Sequence, residues 1–257
     1  MKEKMIAKVT ENKEISPGIY DMRLETRGLN ASPGQFFMLY TGDGSRLLPR
    51  PISVCDCTDD ILRLVYRVAG SGTSLFSRLK KDETLEIMGP LGNGYPPEPP
   101  ENAVLIGGGI GLPPLLYLGK KLSACCSVTS ILGYRNSDLF LKDEFDRISK
   151  VSVSTDDGSL GVHGTVMDVI KNDPSLIPQG SVLYACGPLP MLRAVREYAL
   201  SEGLKCYLSL EERMACGLGV CLSCVCKTSS TDPHSNVDNA RVCVDGPVFA
   251  ADKVELN

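Results

Sequence analysis

No basic block and no acidic tail occurs in this 257-residue chain, whose 27 Lys and Arg against 31 Asp and Glu leave a formal net charge of −4. A nucleic-acid binder needs a concentrated positive face, so that class is excluded. Long apolar runs are missing too. The most apolar stretch, Ala103 to Leu118, is interrupted by glycines and prolines and is shorter than the roughly 20 residues of a membrane-spanning helix. The first residues, Met1-Lys2-Glu3-Lys4-Met5, are charged and lack the apolar core of a secretion signal. Only two histidines are present, His163 and His234, both in polar, loop-like surroundings, which leaves no obvious base for oxidising a substrate. There is no internal repeat and no low-complexity tract. Cysteine, by contrast, is abundant: eleven, an odd number, several within apolar runs such as Leu183-Tyr184-Ala185-Cys186. This is not a disulfide framework, and so many thiols suit a reducing compartment; the expectation is a cytoplasmic protein.

A hydrophobic content of 43% over this length is enough for two cored domains, or for a domain with an appendage. Residues 1–100 read as short strands rich in β-formers, among them Met5–Val9, Ile19–Leu24, Gln35–Tyr40 and Leu62–Val68, punctuated by Ser16-Pro17-Gly18 and Ser32-Pro33-Gly34. Such spacing predicts a β-barrel, with one helix near Thr73–Leu79. Tyr95-Pro96-Pro97-Glu98-Pro99-Pro100-Glu101 then forms a stiff linker, because four prolines in seven residues continue neither helix nor central strand. From Asn102 strands alternate with helices, which implies parallel βαβ units over 101–205. A third, cysteine-rich block occupies 206–257, and its polar stretch Lys227–Asn239 reads as a surface excursion. The fold class is therefore multidomain, all-β followed by α/β with a small C-terminal module.

The most specific signal is Cys216-Gly217-Leu218-Gly219-Val220-Cys221-Leu222-Ser223-Cys224, followed at a distance by Cys243. C-x4-C-x2-C with a distal fourth cysteine is the plant-type arrangement for a 2Fe–2S cluster. Gly217 and Gly219 give the loop the dihedral freedom to turn its thiolates to one side. Zinc is the alternative for four cysteines, but zinc ordinarily takes two C-x2-C knuckles. Cys226 is a rival by direction, since residues two apart in extended chain face the same way; the plant-type spacing does not require it.

Two further groups suit nucleotide cofactors. Arg50-Pro51-Ile52-Ser53, then Val65-Tyr66-Arg67, then Gly70-Ser71-Gly72-Thr73-Ser74 combine two guanidinium groups with a glycine- and hydroxyl-bearing helix start, a phosphate-binding combination; Ser53 is placed to hydrogen-bond a ring. Gly107-Gly108-Gly109-Ile110-Gly111 follows a strand and opens a helix, although Leu112 stands where the dinucleotide fingerprint has its third glycine. Cys186-Gly187-Pro188 and Asp156-Asp157-Gly158-Ser159 lie at other strand ends, where ligands of open α/β sheets bind.

Arg-Pro-x-Ser followed by Tyr-Arg-Val and Gly-Thr resembles the ferredoxin–NADP reductase superfamily, whose barrel carries FAD; Ile52 stands where that superfamily often has Tyr. The resemblance implies FAD at Arg50, Pro51, Ile52, Ser53, Val65, Tyr66, Arg67, Gly72, Thr73 and Ser74. It places a nicotinamide nucleotide at Gly108, Gly109, Gly111, Asp156, Cys186, Gly187 and Pro188.

Together with Glu212-Arg213-Met214-Ala215-Cys216 and Arg241-Val242-Cys243-Val244-Asp245-Gly246-Pro247-Val248-Phe249, the whole chain resembles the electron-transfer subunits of class B dihydroorotate dehydrogenases. Those imply a 2Fe–2S cluster on Cys216, Cys221, Cys224 and Cys243, FAD, NAD, and an FMN-containing catalytic partner in a heterotetramer of two plus two. They imply no nucleic acid and no membrane. Related reductase and hydrogenase subunits share the architecture, so a stand-alone NAD(P)H:ferredoxin-type reductase, or a hydrogenase or ferredoxin oxidoreductase subunit, is the alternative. Arg135 suits a 2′-phosphate and Asp138 a ribose diol, so the residues leave NADP open and NAD rests on the resemblance.

Overall fold

The computed structural model describes residues 3–96, 98–231 and 236–256. The N-terminal part is a closed antiparallel barrel of β1 (Glu3–Ser16), β2 (Ile19–Glu25), β3 (Phe36–Leu39), β4 (Arg50–Cys57), β5 (Ile61–Arg67) and β6 (Thr84–Leu91), in the order β1-β2-β5-β4-β3-β6. Alternation turns Val9, Met22, Leu24, Phe37, Leu64 and Ile87 into its interior, where each is fully buried. The helix α1 (Ser71–Phe76) starts two residues before the sequence expectation. The Thr73 hydroxyl causes this: it accepts from the N–H groups of Ala69 and Gly70 at 2.9 and 3.2 Å and so caps the first turn.

Next come β7 (Asn102–Gly108), α2 (Leu112–Leu122), β8 (Ser127–Tyr134), α3 (Lys142–Asp146), β9 (Lys150–Thr155), β10 (Val162–His163), α4 (Val166–Asn172), β11 (Val182–Cys186), α5 (Leu189–Ser201) and β12 (Lys205–Ser209). Helix α2 begins at Leu112 rather than near Pro114. Both prolines sit in its first turn, where no backbone N–H is needed. The cysteine-rich block adds β13 (Val225–Thr228), β14 (Asn239–Arg241), β15 (Val248–Ala250) and β16 (Val254–Glu255). The central sheet runs β10-β9-β8-β7-β11-β12-β15, parallel except for β15. A division at residue 205 therefore falls inside β12, and Val248–Ala250 returns from the third block to close the sheet's edge. Apolar Val248 and Phe249 drive the return, pairing with Ser209 and Leu208. No helix among the described residues is long and apolar enough to cross a membrane.

Barrel and sheet meet through α2. Leu112, Leu115 and Leu116 share one apolar cluster with Ile19, Cys55 and Val65 of the barrel wall, and the Tyr117 hydroxyl donates to the Ala31 carbonyl at 2.7 Å. A group of charges seals the same junction: Arg63 of β5 forms a two-bond fork on Glu144 of α3, and Lys120 of α2 reaches Asp56 of β4. Burial would raise the Glu144 carboxyl, but Arg63 and Lys120 outweigh it and hold the group at about 2. Because this value lies below the ordinary 4.5, the stabilisation is complete above about pH 4.5 and is lost as pH falls toward 2. The unfolding free energy of the wild type is expected to fall across that window by up to about 3 kcal/mol more than that of Glu144→Gln. Urea titrations of both proteins at a series of pH values check this.

Candidate functional site

The nucleotide-type residues gather at one edge. Sequence order over β9, β8, β7, β11 and β12 is 3-2-1-4-5, so the direction of winding reverses between β7 and β11, the place where doubly wound sheets open a ligand crevice. Register pairs Gly107 with Cys186 there. A Cβ on Gly111 would stand 2.2 Å from the Cys186 carbonyl oxygen and 2.6 Å from the Gly187 nitrogen. One on Gly108 would meet the Met191 sulfur at 2.8 Å and Pro188 at 3.2 Å. The two motifs, some 75 residues apart in sequence, thus form a single turn-on-turn contact. Asp156 lies at the same edge, exposed, two strands away, its N–H bonded to the Tyr134 carbonyl. Burial pushes the Cys186 thiol up to about 12, so it is a neutral thiol at pH 7 rather than a nucleophile. His163 is exposed on β10, and His234 lies outside the described residues.

The barrel residues assemble beside this crevice. The Arg50 guanidinium lies across Gly72, whose Cβ would come within 2.6 Å of it, at the first turn of α1. Arg67 ends β5 with Nη2 only 3.5 Å from the Cβ position of Gly109. Arg23, Arg27, Arg46 and Arg63 are all ion-paired. Arg50, Arg67 and Arg78 have no acidic partner among the described residues; of these, Arg50, which also donates to the Leu48 carbonyl, and Arg67 stand at the glycine turns of Gly72 and Gly109. Pro51 pairs with Met38 and Ser53 with Phe36 across β3–β4. Not every predicted residue has a free side chain. Tyr66 is buried, stacked on Tyr20 at 5.9 Å and edge-on to Phe76, with its hydroxyl on Asn12. Val65 is packed in the junction, and Thr73 is spent on its cap. These three shape the site through backbone and packing. Ile52, where an aromatic was in question, lies half-buried against the barrel's inner cluster.

The cysteine loop packs against β3 and the end of β6. Gly217, at φ +69°, faces Met38 and Leu91, and Gly219, at φ +80°, faces Val244. Cys216 pairs with Cys221, and Cys224 with Cys243. The Val242 N–H donates to the Cys224 carbonyl at 2.9 Å, which zips the second pair together. Burial pushes the Cys216 thiol up, but N–H groups of Leu218, Cys221 and Val220 more than offset it and bring it to about 6. Among the described residues no three metal-binding side chains share one centre. In a two-iron cluster each iron takes two thiolates besides its bridging sulfides, whereas a lone tetrahedral ion needs all four on one point. Cys226 pairs instead with Ala240 in β13–β14, half-buried.

Several residues that brace the site escape sequence reasoning. Asn93 donates to the carbonyls of Val244 and Asp245, and its N–H to that of Gly246, tying the end of β6 to the cysteine block. Arg241, salt-bridged to Asp245, donates to the Gly219 carbonyl at 3.3 Å. Met191 fills the gap between Gly108 and Gly187. Only the i, i+4 spacing of Arg241 and Asp245 carries a local signal.

A barrel that sets Arg50 and Arg67 beside a doubly wound sheet with a glycine crevice is the arrangement of an oxidoreductase of the ferredoxin reductase fold. A Neisseria gonorrhoeae ferredoxin NADP+ reductase solved with FAD and NADP superposes with a TM-score of 0.69 at 16% identity, covering 79% of this chain and 93% of that one. The structure of an NADH-dependent reduced ferredoxin-NADP oxidoreductase superposes with a TM-score of 0.86 at 26% identity, over 100% of this chain and 92% of that one. Residues 211–255 match the iron-sulfur cluster binding domain of dihydroorotate dehydrogenase B. Over the full length, the electron transfer subunit of dihydroorotate dehydrogenase B (NAD(+)) from Caldanaerobacter subterraneus is 39% identical, with 99% of each chain covered. That of Listeria welshimeri is 43% identical over 97% of this chain and 98% of its own. The chain belongs to the family of electron transfer subunits of NAD-dependent dihydroorotate dehydrogenase B.

Proposed function

We propose that the chain carries a 2Fe–2S cluster on Cys216, Cys221, Cys224 and Cys243, FAD on the barrel and NAD in the crevice, and links the FMN of a catalytic subunit to NAD during dihydroorotate oxidation. Together these groups supply one-electron transfer, exchange between one- and two-electron chemistry, and hydride transfer. The protein's part is placement. Arg50 and Arg67 neutralise a diphosphate, Pro51 to Ser53 line a ring, Gly72 leaves room for the Arg50 guanidinium, and Ser74 joins the first turn of α1. Gly108, Gly109 and Gly111, with Cys186, Gly187 and Pro188, hold the nicotinamide nucleotide, and Asp156 borders it. The observation that carries this reading is adjacency. Strand β3 presents Met38 to Gly217 of the cysteine loop while pairing with Pro51 of the flavin strand, and β5 presents Arg67 to Gly109. Strands β3 and β4 are hydrogen-bonded neighbours, so the residues proposed for the cluster and for the flavin sit on adjacent parts of the barrel.

The cluster loop also offers a docking face. Leu218, Val220 and Leu222 are 43%, 81% and 60% exposed around exposed Cys221, an apolar patch that a partner subunit would cover. We assign it to the catalytic subunit, in a heterotetramer of two plus two in the cytoplasm. Co-expression with an FMN-type catalytic subunit is expected to give a stable complex with FAD and about two irons per copy of this chain. The complex should reduce NAD with dihydroorotate. Val220→Glu should weaken that complex on the order of 10-fold or more while leaving iron and flavin in place. A monomer that never associates, yet reduces ferredoxin rapidly with NADH, would instead make the chain a stand-alone reductase.

A further inference from the structure

Hydride transfer demands that two rings bound to different domains meet within about 3.5 Å, so the angle between barrel and sheet is itself a catalytic variable. Apolar contact between them is non-directional, and the Tyr117 hydroxyl on the Ala31 carbonyl pins a single point of α2 to the barrel. The charge group at the junction is directional. Arg63 Nη1 and Nη2 each meet a Glu144 oxygen at 2.7 Å, and Arg63 Nε and Nη2 close on Asp21 at 2.8–3.0 Å. Lys120 Nζ lies 2.9 Å from Asp56 and 3.1 Å from Glu144. Two pairs cross the junction in opposite sense, cation-to-anion from the barrel and cation-to-anion from the sheet domain. Arg63 is only 9% exposed, and forked guanidinium–carboxylate bonds fix orientation as well as distance.

Both ends of this clamp are rigidly tied to the chemistry. On β5 the outward positions are Arg63, Val65 and Arg67: clamp, apolar seal, then the guanidinium at Gly109. On the other side, α2 bears Lys120 near its C-terminus and begins just after Gly111, which is seated on Cys186 and Gly187. One strand and one helix thus connect the clamp to the flavin side and to the nicotinamide side.

We propose that Arg63, Glu144 and Lys120 are positioning residues that set the approach of nicotinamide to flavin; this rests on the function proposed above. Glu144→Gln and Arg63→Lys both retain size while losing the charged fork. In stopped-flow mixing with NADH, the saturating rate of flavin reduction by either variant is expected to fall on the order of 10-fold, with the apparent Kd for NADH within about twofold of wild type. The long-wavelength charge-transfer absorbance of the NADH complex should weaken in parallel, and amide hydrogen exchange in α2 and α3 should quicken, with FAD and iron content unchanged. Asp146→Asn, which removes an ion pair internal to α3, should change none of these. If Glu144→Gln sheds its flavin, Lys120→Met, which removes the Lys120–Asp56 pair and leaves the Arg63–Glu144 fork in place, decides by the same measurements. Wild-type rate and absorbance in a variant with quickened exchange would make the group a plain structural tie and overturn the proposal. A wild-type protein whose bound flavin NADH does not bleach would remove the functional reading, and the proposal with it.

Discussion

Cys224→Ser is expected to strip the iron–sulfur absorbance and to cut dihydroorotate-dependent NAD reduction by about 100-fold or more, while NADH still reduces the flavin and artificial acceptors at near wild-type rates. The expectation follows from where Cys224 sits. It is buried, its carbonyl is bonded to the N–H of Val242, and its side chain meets that of Cys243. A serine hydroxyl is far less acidic than a thiol and its oxygen is smaller than sulfur, so it is a poor substitute for the lost thiolate. The residues proposed to hold the flavin stand on β4, β5 and α1, outside the loop, so the hydride half of the reaction is expected to survive. The companion variant is Cys226→Ser. Cys226 is committed to the β13–β14 ladder, and its replacement should leave iron content unchanged. Iron retained in Cys224→Ser and lost in Cys226→Ser would reverse the ligand assignment. Iron and sulfide analysis, with EPR of the reduced protein, reads both results.

The iron–sulfur character of the third block was legible because three of its cysteines fall within nine positions of one another in the plant-type spacing. The barrel was legible because half-buried strands alternate. What stayed hidden depends on contacts between distant segments. The strand Val248–Ala250 is three residues long, too short for a period, and only its docking on β12 makes it part of the sheet. Arg63 and Glu144 read as two ordinary surface charges, 81 positions apart, until the domains meet. Thr73 and Tyr66 show the converse. A hydroxyl at a helix start and an aromatic on a flavin strand both suggest ligand contact, yet capping claims one and the barrel core claims the other. Side chains with a local structural use are therefore weak evidence for a ligand. Cations without an acidic partner that stand at a glycine turn, as Arg50 does at Gly72 and Arg67 at Gly109, are stronger evidence, and that distinction needs the fold.

Gly111→Ala is expected to abolish productive NAD binding while sparing both other cofactors. The φ of Gly111 is −77°, which any residue adopts, so backbone strain plays no part. The obstacle is volume. An added methyl would stand 2.2 Å from the Cys186 carbonyl oxygen and 2.4 Å from its carbon, and neither is a flexible side-chain tip. Relief requires β11 and α2 to part, although Gly107 and Cys186 are fixed in register just below and α2 is anchored on the barrel by Tyr117. Overpacking of this kind costs about 1–3 kcal/mol, and here it opens the crevice in which the nicotinamide would sit. NADH should reduce the flavin on the order of 100-fold more slowly, whereas chemically reduced protein still passes electrons through the cysteine loop. Gly109→Ala supplies the contrast. Its φ of +53° makes alanine unfavourable by about 1–2 kcal/mol, but the nearest atom is Arg67 Nη2 at 3.5 Å, and a side-chain nitrogen gives way. If strain governed the crevice, Gly109→Ala would be the more damaging; if the turn-on-turn contact governs it, Gly111→Ala will be, and NADH titrations of the two variants rank them.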